Sequence, residues 1–232
     1  NELPPALRAL ARKPDLLVLT KANSRATVHR AGYLDYVGVK RFDEQGKVVG
    51  ERRFIGLYTT STYHANPQDI PLLRTKIRRV MERAGFPHAS HAAKNLFSIL
   101  ETFPRDELFQ VGVDDLFDTT MGVLRLAERA RTRLFIRRDI FSRFYSCLIY
   151  LPRENYNTEV RIKLQEILKR AFGGESVEFN VQLSESVLAR MHMLVRTSPA
   201  TEQKFDLKAL EAEVVAAVRR WEEGVFERLV KQ

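Results

Sequence analysis

The chain is poor in the residues that most enzyme signatures require. It holds one cysteine, Cys147, which excludes a disulfide framework and a cysteine zinc site. Because Cys147 lies inside an apolar run, it reads as a core thiol rather than a nucleophile. The eleven glycines never fall as Gly-x-Gly, so the phosphate-cradling turn of a dinucleotide fold is absent, and no Gly-Lys-Ser or Gly-Lys-Thr supplies a P-loop. No Gly-x-Ser-x-Gly elbow is present. His88 and His91 form His-x-x-His, but no third ligand follows at metal-binding spacing, and they read as surface or capping residues. His192, between Met191 and Met193, reads as a partly buried strand residue rather than a base. No apolar run approaches the roughly twenty residues of a membrane helix. The first residues lack the basic-then-apolar pattern of a signal peptide. These absences predict a soluble, cytoplasmic chain without catalytic residues, metal or cofactor of its own and without a membrane partner.

What is abundant is positive charge: 38 Lys and Arg against 29 Asp and Glu, a net +9. Such a balance is the electrostatic footprint of nucleic-acid binders. Arg125, Arg129, Arg131, Arg133, Arg137, Arg138 and Arg143 lie close together in the sequence. Arg137 and Arg138, however, point to opposite faces of an expected strand. Glu128, Asp139 and the acidic stretch Glu101–Asp118 are near enough to neutralise part of the cluster. No helix-turn-helix, zinc-finger or aromatic RNA-binding motif accompanies the charge, so a basic nucleic-acid binder is only the second alternative reading.

The most regular stretch runs from Arg133 to Val195 and reads as strand, strand, helix, strand, strand. Phe144–Leu151 is aromatic and β-branched with Pro152 closing it, a central strand covered on parts of both faces. Asn157 or Thr158 caps the next helix, whose Val160, Leu164, Ile167, Leu168 and Ala171 make one apolar stripe ended by Gly173 and Gly174. Val177, Phe179, Val181 and Leu183 alternate with polar residues, and Leu188–Arg196 completes the unit.

Upstream, the sequence predicts a short helix over Pro5–Arg12, a strand over Leu16–Thr20 and a polar loop over Lys21–Ser24 that leads to Ala26–His29. Strands over Tyr33–Phe42 and Val48–Tyr58 flank the turn Asp43-Glu44-Gln45-Gly46. A loop over Thr59–Gln68 precedes three helices, over Ile70–Ala84, from Ser90 to Pro104, and from Val113 to Arg131. A last helix, Asp206–Val230, carries Leu207, Leu210, Val214, Val218, Trp221, Val225 and Leu229 on one stripe, with Trp221 read as a core or interface anchor. The absence of an initiator methionine and of a stop signal after this helix is read as a segment of a longer chain. The expected class is α+β, with two antiparallel sheet-plus-helix units joined by a helical connector: residues 1–69, 70–131 and 132–232.

The run RLFIRRDIFSRFYSCLIYLPRENYNTEVRIKLQEIL resembles the region upstream of the catalytic domain in the bacterial large-subunit NAD-dependent glutamate dehydrogenases. The earlier run YVGVKRFDEQGKVVGERRFIGLYTTSTY resembles the segment preceding it in the same family. The resemblance implies a PAS-like sheet over 1–69, a connector over 70–131 and an ACT-like (ferredoxin-like) βαββα domain over 132–232. It implies a regulatory and assembly segment, part of a homo-oligomer and partnered by the catalytic domain of its own parent chain. That parent would convert L-glutamate, NAD and water to 2-oxoglutarate, ammonia and NADH. The family's dinucleotide loop and substrate lysines are not in these residues, so no catalytic residue carries over. A free-standing amino-acid-sensing ACT module is the first alternative.

ACT-like domains often bind amino acids near the loop between first strand and first helix, here Pro152-Arg153-Glu154-Asn155-Tyr156-Asn157. The resemblance makes Arg153 a two-pronged anchor for an effector carboxylate, with Asn155 and Asn157 reading its amino group. The plainer reading has Asn157 only capping the helix, Arg153 solvated and Tyr156 packed on a neighbour.

Overall fold

In the computed structural model, which describes residues 8–9, 11–28, 32–126, 129–183, 186–198 and 204–219, the first sheet is organised by the turn Asp43–Gly46. Gly46 takes φ 77°, and Asp43 Oδ1 accepts from the N–H groups of Gln45 (3.1 Å) and Lys47 (2.8 Å). The reversal pairs β2 (Gly32–Phe42) antiparallel with β3 (Val48–Gly56), and β1 (Leu17–Ala26) pairs with the other edge of β2 in the order β1-β2-β3. The polar loop expected over Lys21–Ser24 is instead part of β1, which carries a register irregularity between Lys21 and Arg25. Polarity there misled because Lys21 is buried against carboxylates rather than solvated. β3 ends at Gly56, earlier than the expected Tyr58.

The segment expected as a loop holds α1 (Thr60–His64) and a 3₁₀ turn, Pro67–Asp69, capped by Asn66, whose Oδ1 accepts from Gln68 N–H at 2.9 Å. Helix α2 (Pro71–Ala84) ends at Gly85 with φ 63°. Ser90 caps α3 (His91–Thr102), its Oγ accepting from Ala93 N–H at 3.2 Å. A helix that the periodicity did not separate, α4 (Arg105–Gln110), precedes α5 (Val113–Leu126). The helix expected over Pro5–Arg12 falls largely outside the described residues.

By internal contacts the chain divides into two units, Asn1–Arg78 with Arg105–Val111, and Arg79–Pro104 with Gly112–Gln232. In the first, α4 packs on β1, Phe109 stacks on Tyr58 at 4.6 Å, and Leu73, Ile77 and Leu108 are fully buried. Lys76 closes the C-terminal end of α4, its ammonium donating to the carbonyls of Leu108 (3.0 Å), Phe109 (2.7 Å) and Val111 (2.7 Å). Those are the carbonyls that a helix end leaves unpaired.

The second unit is built on an antiparallel four-stranded sheet, β4 (Arg133–Arg138), β5 (Phe144–Pro152), β6 (Ser176–Gln182) and β7 (Leu188–Arg196), in the order β4-β5-β7-β6. Helices α6 (Thr158–Phe172) and α7 (Leu207–Val218) bury one face with Tyr145, Cys147, Ile149, Leu164, Leu168, Phe172, Met191, Met193 and Val214. Opposite it, Phe135 lies so close to Gly122 of α5 that a β-carbon there would sit 2.7 Å from its ring. Cover on both faces explains why every residue from Phe144 to Leu151 is buried. Asp206 caps α7, accepting from Lys208 N–H at 2.8 Å, and Trp221, Val225 and Leu229 lie outside the described residues. The mixed α+β class with two antiparallel sheets is as expected from the sequence.

Candidate functional site

The loop leaving β5 is shaped by local chemistry. Arg153–Asn155 form one 3₁₀ turn, closed by Tyr156 N–H donating to the Arg153 carbonyl at 3.2 Å. Arg153 N–H donates to the Val187 carbonyl at 2.9 Å, tying the loop to the residues that enter β7. Asn157, extended at φ −152° and ψ 174°, caps α6 by accepting from Val160 N–H at 2.8 Å. That bond commits one lone pair of Asn157 Oδ1, leaving the other and the amide N–H₂.

Of the residues expected to contact an effector, Arg153 is exposed and Asn155 is 6% exposed. Asn155 Oδ1 is buried without a hydrogen-bond partner. An acceptor left so is costly, on the order of 1–3 kcal/mol, unless a donor reaches it. Tyr156 packs against the core beneath the helices.

A second polar cluster, not foreseen from the sequence, lies in the first unit. Lys21 and Asp35 are each 4% exposed, and the Lys21 ammonium sits 2.5 Å from Asp35 Oδ1 and 3.0 Å from Asp106 Oδ2. Tyr63 donates its hydroxyl to Asp106 Oδ1 at 2.6 Å, and Tyr58 N–H donates to Asp35 Oδ2 at 2.9 Å. Burial pushes the Asp35 carboxyl above its ordinary value, outweighing the Lys21 ammonium and the Tyr58 N–H that pull it down. Burial, then the charges of Asp35 and Asp106, push the Tyr58 phenol up. With its Nζ held between Asp35 and Asp106, Lys21 joins α4 to the sheet as a buried ion pair.

Ser146 Oγ and His192 Nε2 meet at 2.8 Å across β5 and β7, the geometry of a nucleophile and its base. Ser146 is 2% exposed and His192 half-buried, so the contact ties β5 to β7. His88 and His91 are both exposed, and among the described residues no group of three or more His, Cys, Asp or Glu could hold a metal ion. Nor, among them, is any helix long and apolar enough to cross a membrane.

Much of the basic cluster is engaged inside the second unit. Arg143 Nε donates to the buried Asp139 Oδ2 at 3.0 Å, and Arg133 pairs with Glu211 at 2.8 Å. Arg138 lies 5.7 Å from the ring of Tyr145, while Arg137 and Arg196 lie 6.0 and 5.1 Å from that of Phe144. Arg137 and Arg138 therefore use opposite faces of the sheet, as strand alternation requires.

Two family patterns match the chain: "Glutamate dehydrogenase, ACT2 domain" over residues 133–222, and "Glutamate dehydrogenase, helical motif 1" over residues 70–129. The chain is 42% identical over 213 residues to an NAD-specific glutamate dehydrogenase of Halomonas elongata, covering 92% of this chain and 13% of the relative. It is 42% identical over 223 residues to one of Pseudomonas aeruginosa, covering 96% of this chain and 14% of the relative. To the enzyme of that name from Mycobacterium tuberculosis it is 35% identical over 181 residues, covering 78% and 11%. The chain thus spans a small part of the length of these relatives. The ACT2 match falls on the four-stranded sheet with α6 and α7, and the helical-motif match takes in α2 to α5. By these matches the chain belongs to the NAD-specific glutamate dehydrogenase family, of which it carries the ACT2 domain and the first helical motif.

Proposed function

We propose that this chain is a regulatory and assembly portion of an NAD-specific glutamate dehydrogenase and is not itself catalytic. The parent reaction is oxidation of L-glutamate with NAD and water to 2-oxoglutarate, ammonia and NADH, carried out by a catalytic domain elsewhere in the same cytoplasmic polypeptide. NAD belongs to that domain. The division follows the sequence reading: a PAS-like sheet over 1–69, a helical connector over 70–131 and the ACT-like domain over 132–232. The chain takes part in a homo-oligomer and transmits effector binding to the catalytic portions through it.

The observation that carries this reading is the four-stranded unit itself, which matches an ACT domain. Its loop from Pro152 to Asn157 takes an amino-acid effector. Arg153 anchors the carboxylate, and Asn155 and Asn157 receive the ammonium. Support comes from the buried, unpartnered Oδ1 of Asn155, an acceptor suited to an ammonium donor.

The test is calorimetric titration of the chain with the amino acids and 2-oxoglutarate, followed by Arg153→Ala, which should weaken binding at least tenfold without lowering the melting temperature. Unchanged affinity in that variant would sink the site. No binding by the unaltered chain would leave the assembly role alone.

A further inference from the structure

The strand β3 is an edge: among the described residues its ladder partner is β2. It is also bare on both faces, since Phe54 and Ile55, neighbours that point to opposite sides, are 60% and 57% exposed, and Val49 is 59% exposed. A long edge with apolar residues on both sides is a template for another strand. We infer that the outer edge of β3 pairs antiparallel with β3 of a second copy of this chain, about a two-fold axis at Arg52, joining two three-stranded sheets into one. This rests on the assembly reading above and names the surface that serves it.

The register follows from the residues. With Arg52 on the axis, Val49 lies opposite the partner's Ile55 on one face, and Glu51 lies opposite the partner's Arg53 on that same face. On the other face Gly50 lies opposite the partner's Phe54. Nothing stands within 4 Å of where a Gly50 β-carbon would be, so that ring has open space to cover. Arg53 is well exposed and its Nε lies 3.8 Å from Glu51 Oε1, which also accepts from the Tyr36 hydroxyl of β2, so the partner's Arg53 would take the remaining carboxylate oxygen and close a four-membered charge cluster around the axis.

Sliding by one alternation in either direction destroys this match. In one direction Glu51 meets itself and Val49 meets an arginine; in the other Arg53 meets itself and Glu51 meets Ile55. Arg52 does face its own copy in the chosen register, but it is exposed and long enough to turn away into water. The charged centre of β3 thus selects one register, whereas a strand from elsewhere in the parent would need no such self-complementarity.

The experiment uses Arg52→Cys in this chain under mild oxidation, read on a non-reducing gel beside sedimentation of the unaltered chain. Directly opposed α-carbons in an antiparallel pair lie about 4.5–5.5 Å apart, within disulfide reach. The other cysteine, Cys147, is buried and gives no background. The expected result is a reducible covalent dimer from Arg52→Cys and none from Val48→Cys, whose copies would lie at opposite ends of the pair. A dimer in sedimentation that Arg52→Cys does not trap overturns the β3 interface and leaves the assembly reading standing. A monomer at every concentration overturns the interface and removes this chain's part in assembly.

Discussion

Replacing Lys21 with methionine isolates the energetics of the buried cluster in the first unit. Methionine keeps the length and apolar stem of the side chain but removes the ammonium that lies 2.5 Å from Asp35 and 3.0 Å from Asp106. Asp106, with a quarter of its side chain exposed, retains water and the Tyr63 hydroxyl, so little of the cost falls on it. Asp35 is buried and keeps only the Tyr58 N–H among the bonds described above. Removing one partner of a buried ion pair costs about 3–5 kcal/mol, and the surviving N–H bond places this case near the lower end, about 3 kcal/mol.

The loss should depend on pH. Burial already raises the Asp35 carboxyl above its ordinary 3.8, and Lys21 is the chief group pulling it down. Without Lys21 the folded-state pKa rises further above the unfolded one, so the folded variant binds more protons. The variant's stability is then greatest below the unfolded carboxylate range and falls as pH rises through the raised folded pKa. The penalty relative to the unaltered chain must therefore shrink in acid.

Hydrogen exchange read by mass spectrometry on peptides from β1, β2 and β3 measures opening of this unit separately from the other. The expected result is a decrease in opening free energy of about 3 kcal/mol at neutral pH, a smaller one in acid, and partial recovery in Lys21→Met/Asp35→Asn, which leaves no buried charge at that site. A loss below about 1 kcal/mol, or one that grows in acid, would refute the argument that an unpaired buried carboxylate is what Lys21 prevents.

Three further outcomes are expected in the second unit. Asn157→Ala removes the cap of α6 and should cost about 1 kcal/mol in a denaturant titration, while Asn157→Asp, which keeps an accepting oxygen, should cost much less. Gly122→Ala would place a β-carbon 2.7 Å from the Phe135 ring and should cost about 1–3 kcal/mol by overpacking; an unchanged melting curve would show that α5 gives way freely. Cys147, fully buried beneath α6 and α7, should react with a thiol reagent only at the rate at which the unit opens, so labelling that is fast under native conditions would contradict its core placement.

Local signals decided the second unit. Asn157 ahead of an apolar stripe and Gly173 at its end set α6 in the sequence, and the structure has that asparagine as the cap and that glycine at φ 59°. The alternation from Val177 to Val181 set β6 as a strand, but of its apolar face only Val177 and Val181 pack on the core, whereas Phe179 is 47% exposed beneath Arg161 and Leu183 lies exposed beyond the strand's end. Such signals are legible because cap, stripe and turn are formed by residues a few positions apart. The same reach made the capping role of Asn157 readable, but not the burial of Asn155, which depends on how the loop is held against the residues entering β7.

What only the tertiary structure decided lies between distant residues. Lys21 read as loop because its partners, Asp35 on β2 and Asp106 on α4, are not its neighbours in sequence, and an unpaired lysine belongs in water. Helix α4 was too short for its periodicity to show, and it is held by packing on β1 and by Lys76 at its end. That Arg137 and Arg138 take opposite faces and that Asp139 offsets part of the arginine cluster was legible in the sequence; the pairing of Arg133 with the distant Glu211 and the packing of Arg137 and Arg138 on Phe144 and Tyr145 were not. Propensity and periodicity act over one or two turns and settle which element forms. Burial and ion pairing depend on the closure of long loops and settle what each charged side chain becomes.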